Sequence, residues 1–321
     1  MTDPPRVPWQ VKFASLALIW GASFLLMKLG LRWFAPLQIA TFRIVLGALT
    51  VLALLRLTGG RLPRSRTVWA HLLVVAVFLC SLPFTLFPLG EERVSSALAG
   101  IGNAVTPIAT VLATMAVLPA ERLPAARLAA VAAGFLGVVV IAQPWASAGQ
   151  PDAVGFGVTL LAGASYGIGW TWVRRHLAAA DLAGLQFPAA LLTVAAGQMA
   201  LLLVGWWLLG RGGERPAPWS AAPGASGGAE APLLAVLALG VLGTGVAYLF
   251  QYDVFRAVGQ QVGSLVTYLI PVVSVALGYV VLGERLGPWQ LVGAAVVLAA
   301  AVAVSRPGRV RARTPSGMPP S

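Results

Sequence analysis

Charge is what this sequence has least of. Only 10% of its 321 residues are Asp, Glu, Lys or Arg, 58% are hydrophobic, and mean hydropathy is +0.84. A soluble domain carries about 25% charged residues to hold its surface in water, so this composition excludes a soluble globular protein and places the chain in a bilayer. A single cysteine, Cys80, excludes an internal disulfide and any cysteine-rich zinc or iron–sulfur centre. The two histidines, His71 and His176, stand 105 residues apart and make no local metal-binding pair. No G-x-x-x-x-G-K-[ST] stretch is present, so ATP is not bound through a P-loop in this chain. No metal or other cofactor is expected. Acids are scarcer than bases, 10 against 22, for a formal net charge of +12. In a soluble chain that excess would suggest nucleic acid. Here it belongs to membrane loops, where Lys and Arg set orientation, and no nucleic-acid partner is expected.

What the chain has instead is long uncharged runs. A helix needs about 20 predominantly apolar residues to cross the hydrocarbon core. Residues 67–90, 94–120, 128–151, 153–173, 182–210, 231–252, 257–283 and 286–305 are each free of charge over at least that length. Two earlier segments, 13–31 and 36–55, are each interrupted by one cation, Lys28 and Arg43. A closed barrel would also satisfy the backbone in lipid, but its strands alternate apolar and polar residues, and Val292–Val304 does not. The expected fold class is an all-α integral membrane protein with ten transmembrane helices.

With ten crossings and a cytoplasmic N-terminus, fifteen of the loop cations fall inside and five outside, the asymmetry expected of cytoplasmic loops. The first span has a basic flank but no clear small-residue cleavage site, and Lys28 interrupts its end; it is expected to be retained rather than removed. Residues 211–231, rich in Gly, Pro and Ala, form a flexible outer loop, and residues 306–321 a disordered cytoplasmic tail.

The two halves resemble each other. Val94-Ser95-Ser96-Ala97, Asn103–Ile108 and Glu121-Arg122-Leu123 recur as Val262-Gly263-Ser264-Leu265, Thr267–Val272 and Glu284-Arg285-Leu286, with Pro107 and Pro271 separated by 164 residues. The expected units are a first five-helix repeat at 1–147, a second at 148–305 and the tail. Five crossings are an odd number, so the second repeat is inverted. Inverted repeats are a recurrent basis for alternating access, with substrate bound at their interface.

Several short stretches carry a family resemblance: Ile19-Trp20-Gly21-Ala22-Ser23-Phe24, Phe42-Arg43, Leu82-Pro83-Phe84, Asn103–Pro107, Gly243-Thr244, Ala247-Tyr248, Ser264–Pro271 and both Glu-Arg-Leu turns. In their order and duplication the chain resembles the EamA-type ten-helix members of the drug/metabolite transporter superfamily, from about residue 13 to 304. The sixth and seventh helices match least. The resemblance implies export or exchange of a small metabolite, amino acid or drug across a bacterial inner membrane.

Candidate site residues follow from position and chemistry. Proline lacks an N–H and clashes with the carbonyl four residues earlier. Pro107 and Pro271 are therefore expected to kink their helices and release the carbonyls of Asn103 and Thr267, whose side chains are also polar. A packed kink satisfied by neighbouring helices is the alternative. Trp20 and Ser23 share one face of the first helix and Tyr166 and Trp170 one face of the sixth. Tyr248 and Gln251 of the eighth extend the proposed wall. Ordinary packing or an interfacial belt is the other reading for each aromatic, and the preferred one for Trp9, Trp145 and Trp206. Arg43 lies deep enough to need an acid, expected to be Glu91 in a structural ion pair, with Glu92 as the other available acid. Lys28 is expected to snorkel, both histidines to be interfacial, and Cys80 to pack as a small apolar group. Glu121 and Glu284 suit helix-end pairs or caps. The fifth and tenth helices, poor in polar groups, fit either the periphery or a homodimer interface.

No Asp or Glu lies well inside an apolar run, which weighs against a membrane-embedded enzyme. No filter or charged ring points to a passive channel. Proton antiport, facilitated efflux and exchange all remain compatible with these residues. The cation asymmetry gives a direct expectation: reporter fusions after Arg66 and after Arg313 should both report a cytoplasmic location, and a periplasmic signal from either rejects the ten-helix map.

Overall fold

The computed structural model describes residues 7–117, 125–143, 145, 150–180, 182, 184–213, 215–221, 228–263 and 265–305. The Glu121-Arg122-Leu123 turn, Ser264 and the tail 306–321 lie outside them. The described residues are helical, with no strand among them. Among the described residues seven helices are long and apolar enough to cross a membrane, and three apolar helices are shorter.

In chain order the helices are α1 (Trp9–Gly30), α2 (Pro36–Leu57) and α3 (Arg66–Glu91), then α4, which runs as Ser96–Asn103 and Thr106–Val117. They continue as α5 (Ala125–Ala142), α6 (Ala153–His176) and α7 (Gln186–Leu208). The last are α8 (Glu230–Gly240 continuing to Gly263), α9 (Val266–Leu282) and α10 (Pro288–Ser305). Their starts are written in the sequence. Pro36 opens α2, where a missing N–H costs nothing. Ser95 and Asp152 cap α4 and α6 by accepting from Leu98 N and Gly155 N.

Interruptions mark the long helices. α3 contains a π-helical turn at Val77–Ser81, just before Pro83, which cannot donate to the carbonyl of Leu79. α8 contains another at Val241–Val246, in a run holding Gly243 and Gly245; there Thr244 Oγ1 donates to the carbonyl of Leu239, 3.3 Å away. The two turns begin 164 residues apart, the same shift that relates Pro107 to Pro271.

The two prolines are not placed alike. Pro271 is inside α9. Pro107 is the second residue of a new helical segment, after a break at Ala104-Val105 closed by turn bonds to Ile101 and Gly102. The mid-helix kink expected at Pro107 is therefore corrected to a break, and its absent N–H falls in a first turn where no intrahelical acceptor exists.

Close approaches hold these interrupted helices in place. A Cβ on Gly21 of α1 would lie 2.4 Å from Cβ of Val273 of α9, and one on Gly163 of α6 would lie 2.7 Å from the carbonyl oxygen of Gly102 of α4. Thr106 Oγ1 adds a 2.9 Å bond to the Gly163 carbonyl across the second contact. Gly21 and Gly163 head the matching stretches Gly21-Ala22-Ser23-Phe24 and Gly163-Ala164-Ser165-Tyr166. α5 and α10 pack on one another, with Gly137 and Gly293 so close that a Cβ on Gly293 would sit 2.6 Å from the Gly137 carbonyl oxygen.

One end of the bundle, where α1 and α3 finish and α4 begins, is tied by two side chains. Lys28 Nζ donates to the carbonyls of Glu91 and Val94. Glu284 follows Gly283, whose φ of 66° ends α9 in a left-handed turn. Its carboxylate accepts from Ser96 N, Ser96 Oγ and Ala97 N, all at 2.9–3.0 Å. Glu284 is thus a cap, but of α4 rather than of its own helix. At the other end, Lys12 of α1 pairs with Asp253 of α8. Losing a cap costs about 1 kcal/mol. Glu284→Ala should therefore lower the thermal midpoint of detergent-purified protein by a few degrees, with Glu284→Gln losing less; unchanged melting of Glu284→Ala would show that the three bonds contribute nothing net.

Candidate functional site

The interrupted helices surround one cavity of about 160 Å³. All eight residues expected to line a site are on its wall: Trp20 and Ser23 from α1, Asn103 from α4, Tyr166 and Trp170 from α6, Tyr248 and Gln251 from α8, and Thr267 from α9. The prolines are not on the wall, but each stands four residues beyond a lining residue.

Sequence reasoning missed other lining residues, including Phe84, Phe87, Thr106 and Thr244. The repeat held the signal for most of them. Shifting by 164 relates Leu79 to Gly243, Phe84 to Tyr248, Phe87 to Gln251, Asn103 to Thr267 and Thr106 to Ile270, and both members of all five pairs line the cavity. Thr244 carried no such signal, since its counterpart is Cys80, a fully buried core residue.

The wall is mostly aromatic and hydroxylic. Ser23 Oγ donates back to the carbonyl of Ile19 at 3.1 Å, which satisfies it within α1. Phe87 packs against Phe24 edge-on at 5.2 Å between centroids and against Tyr166 at 6.3 Å, while Trp170 leans on Phe187. Met27, Phe87 and Phe24, toward the end tied by Lys28 and Glu284, are buried, and Trp170 is 36% exposed.

Arg43 is the one charged residue on the wall among the described residues. Its Nε donates to Thr244 Oγ1 at 3.1 Å, one terminal nitrogen lies 4.0 Å from the Met27 sulfur, and its Cζ stands 3.9 Å from the centroid of the Phe84 ring. The expected Arg43–Glu91 ion pair is not formed: both carboxylate oxygens of Glu91 are buried without a hydrogen-bond partner. The reason is distance along α3. Glu91 is two helical turns, about 10 Å, beyond Phe84, against which Arg43 lies. Glu92 is exposed past the end of the helix and does not replace it. The histidines do come together: their rings stack at 4.7 Å, with Trp172 against His176, where α3 begins and α6 ends. No group of three or more metal-ligating side chains exists among the described residues.

A bundle of apolar helices broken around an internal aromatic cavity defines a multi-pass membrane protein. The pattern of the EamA-like transporter family matches residues 8–143 and 153–306, and the chain belongs to that family. It is 24% identical over 293 residues to the uncharacterized inner membrane transporter YedA of Escherichia coli, covering 91% of this chain and 88% of YedA. It is 31% identical over 139 residues to an uncharacterized transporter of Archaeoglobus fulgidus. That match covers 41% of this chain and 48% of the archaeal protein, so it spans about half the length of that relative. A crystal structure of a protein with 20% identity is similar in fold, with a TM-score of 0.57 over 92% of this chain and 95% of the other.

A place on the cavity wall predicts reactivity. In a Cys80→Ala background, Asn103→Cys and Thr267→Cys should react with a membrane-impermeant thiol reagent in purified protein. Ser274→Cys, at a position 1% exposed, should react at least tenfold more slowly. Equal rates at all three positions would contradict an open cavity.

Proposed function

We propose that this protein is a secondary transporter that exports or exchanges a small metabolite, amino acid or drug across the bacterial inner membrane by alternating access. In this reading ten spans form two inverted repeats, both termini are cytoplasmic, and the eight lining residues named from the sequence contribute to the substrate site. The observation that carries the reading is the common shift of 164 among five pairs of lining residues. A wall built from equivalent positions of two halves is what a site at a repeat interface requires. Two separately matched family segments, 8–143 and 153–306, support the division. In this orientation Lys28 and Glu284 tie helix ends at the outer side.

Rocking needs helices that bend without stranding polar groups in lipid. The π turns of α3 and α8, the break in α4 and Pro271 in α9 supply such points, all next to residues that line the cavity. Purified protein in liposomes should exchange at least one member of a panel of labelled metabolites faster than protein-free liposomes. Pro271→Ala restores a backbone donor to the Thr267 carbonyl. It should slow that exchange severalfold per folded molecule while leaving the amount of inserted protein near normal; low abundance with a normal rate would identify Pro271 as a packing residue only.

A further inference from the structure

Arg43 is a buried cation that forms no ion pair among the described residues. It is 6% exposed, and its partners are a hydroxyl, a thioether and a phenyl face, none of which is anionic. Among the described residues no carboxylate lies within ion-pair distance of it. A guanidinium has five N–H donors in a planar fork, and only two of its nitrogens are engaged here. A cation sequestered in this way is costly within a membrane span unless an anion or water answers it. The fold nevertheless fixes it firmly: Thr244, turned toward it by the π turn of α8, holds Nε, and the Phe84 face holds the plane.

We infer that the cavity takes a small organic monoanion, with its carboxylate on the Arg43 guanidinium and a single-ring aromatic or similarly sized apolar body between Trp20, Tyr166 and Tyr248. This rests on the transporter reading for the movement of the ligand, not for its binding. Three features select that chemistry. The guanidinium fork matches a carboxylate in a bidentate, charge-assisted bond. Among the described residues the wall holds no Asp or Glu, so the ammonium of a zwitterionic amino acid or a cationic drug would enter without a counter-charge. One cation also leaves half of a dianion, such as a phosphate monoester, uncompensated. The cavity, at about 160 Å³, is close to the roughly 150 Å³ that accommodates benzene in an apolar protein interior. Trp20 and Trp170 on the wall supply an intrinsic fluorescence signal for occupancy.

The test is titration of purified full-length protein at pH 8 with benzoate, benzamide, benzylammonium, phenylalanine and phenyl phosphate, followed by tryptophan fluorescence and thermal midpoint. Counterflow of each labelled compound in liposomes, against protein-free liposomes, runs beside it. Benzoate should quench saturably, raise the midpoint and exchange, with the other four at least tenfold weaker. Arg43→Gln should weaken benzoate binding at least tenfold, and Arg43→Lys, which keeps the charge but loses the fork, should weaken it less. If Arg43→Gln does not fold, Arg43→Lys alone decides: a severalfold loss supports the inference and unchanged affinity overturns it. Exchange of benzamide, benzylammonium, phenylalanine or phenyl phosphate without benzoate would overturn the monocarboxylate inference and leave transport standing. Saturable, Arg43-dependent benzoate binding without exchange would leave the inference standing and overturn transport. Neither binding nor exchange of any compound would overturn both.

Discussion

The structure depends on one constraint: inside a bilayer every backbone N–H and C=O must find its partner within the protein. Regular helices meet it without help, which is why the described residues are so uniformly helical. The exceptions therefore have to be placed where protein or water can answer them. α3 and α8 loosen into π turns, α4 breaks at Ala104-Val105, and α9 carries Pro271. All four interruptions gather around one cavity. Polar groups that would be a liability against lipid become part of the wall of that cavity.

Close helix packing makes that gathering possible. Gly21 lets α1 approach α9, and Gly163 lets α6 approach α4, so an unbroken helix in each case supports an interrupted one. The Thr106 hydroxyl bonded to the Gly163 carbonyl secures the second contact at the start of the new segment of α4. These supports explain how the interruptions coexist with a defined cavity instead of loosening the bundle.

Much of this was legible in the sequence, and the parts that were not share a cause. Uncharged runs marked the helices because the cost of charge in lipid leaves little freedom. The duplicated Asn103 and Thr267 stretches, with the aromatics of the first, sixth and eighth helices, marked the cavity wall because helical spacing decides which side chains share a face. The Arg43–Glu91 pairing failed because scarcity of acids identified a partner without measuring depth along α3. The expectation for Pro107 failed because a proline has the same local chemistry inside a helix and in its first turn; only the break before it distinguishes the two. Thr244 was invisible for a related reason: its orientation comes from a π turn, and its repeat counterpart is Cys80. The stacking of His71 on His176 likewise follows from α3 and α6 packing side by side, which no local pattern encodes.

The two ends of the bundle differ in kind. At one end Glu284 bonds two backbone N–H groups and a hydroxyl of α4, and Lys28 bonds two backbone carbonyls at the α3–α4 connection. These are charged side chains answering orphan groups at helix termini, so separating them strands backbone groups as well as charges. At the other end Lys12 and Asp253 are partly exposed and bond to one another, and water can take up either partner as they part. On the proposed mechanism the second contact separates more readily than the first. The outer end would then need an added contribution to open, and a ligand that neutralises Arg43 at the inner edge of that closure is positioned to supply it.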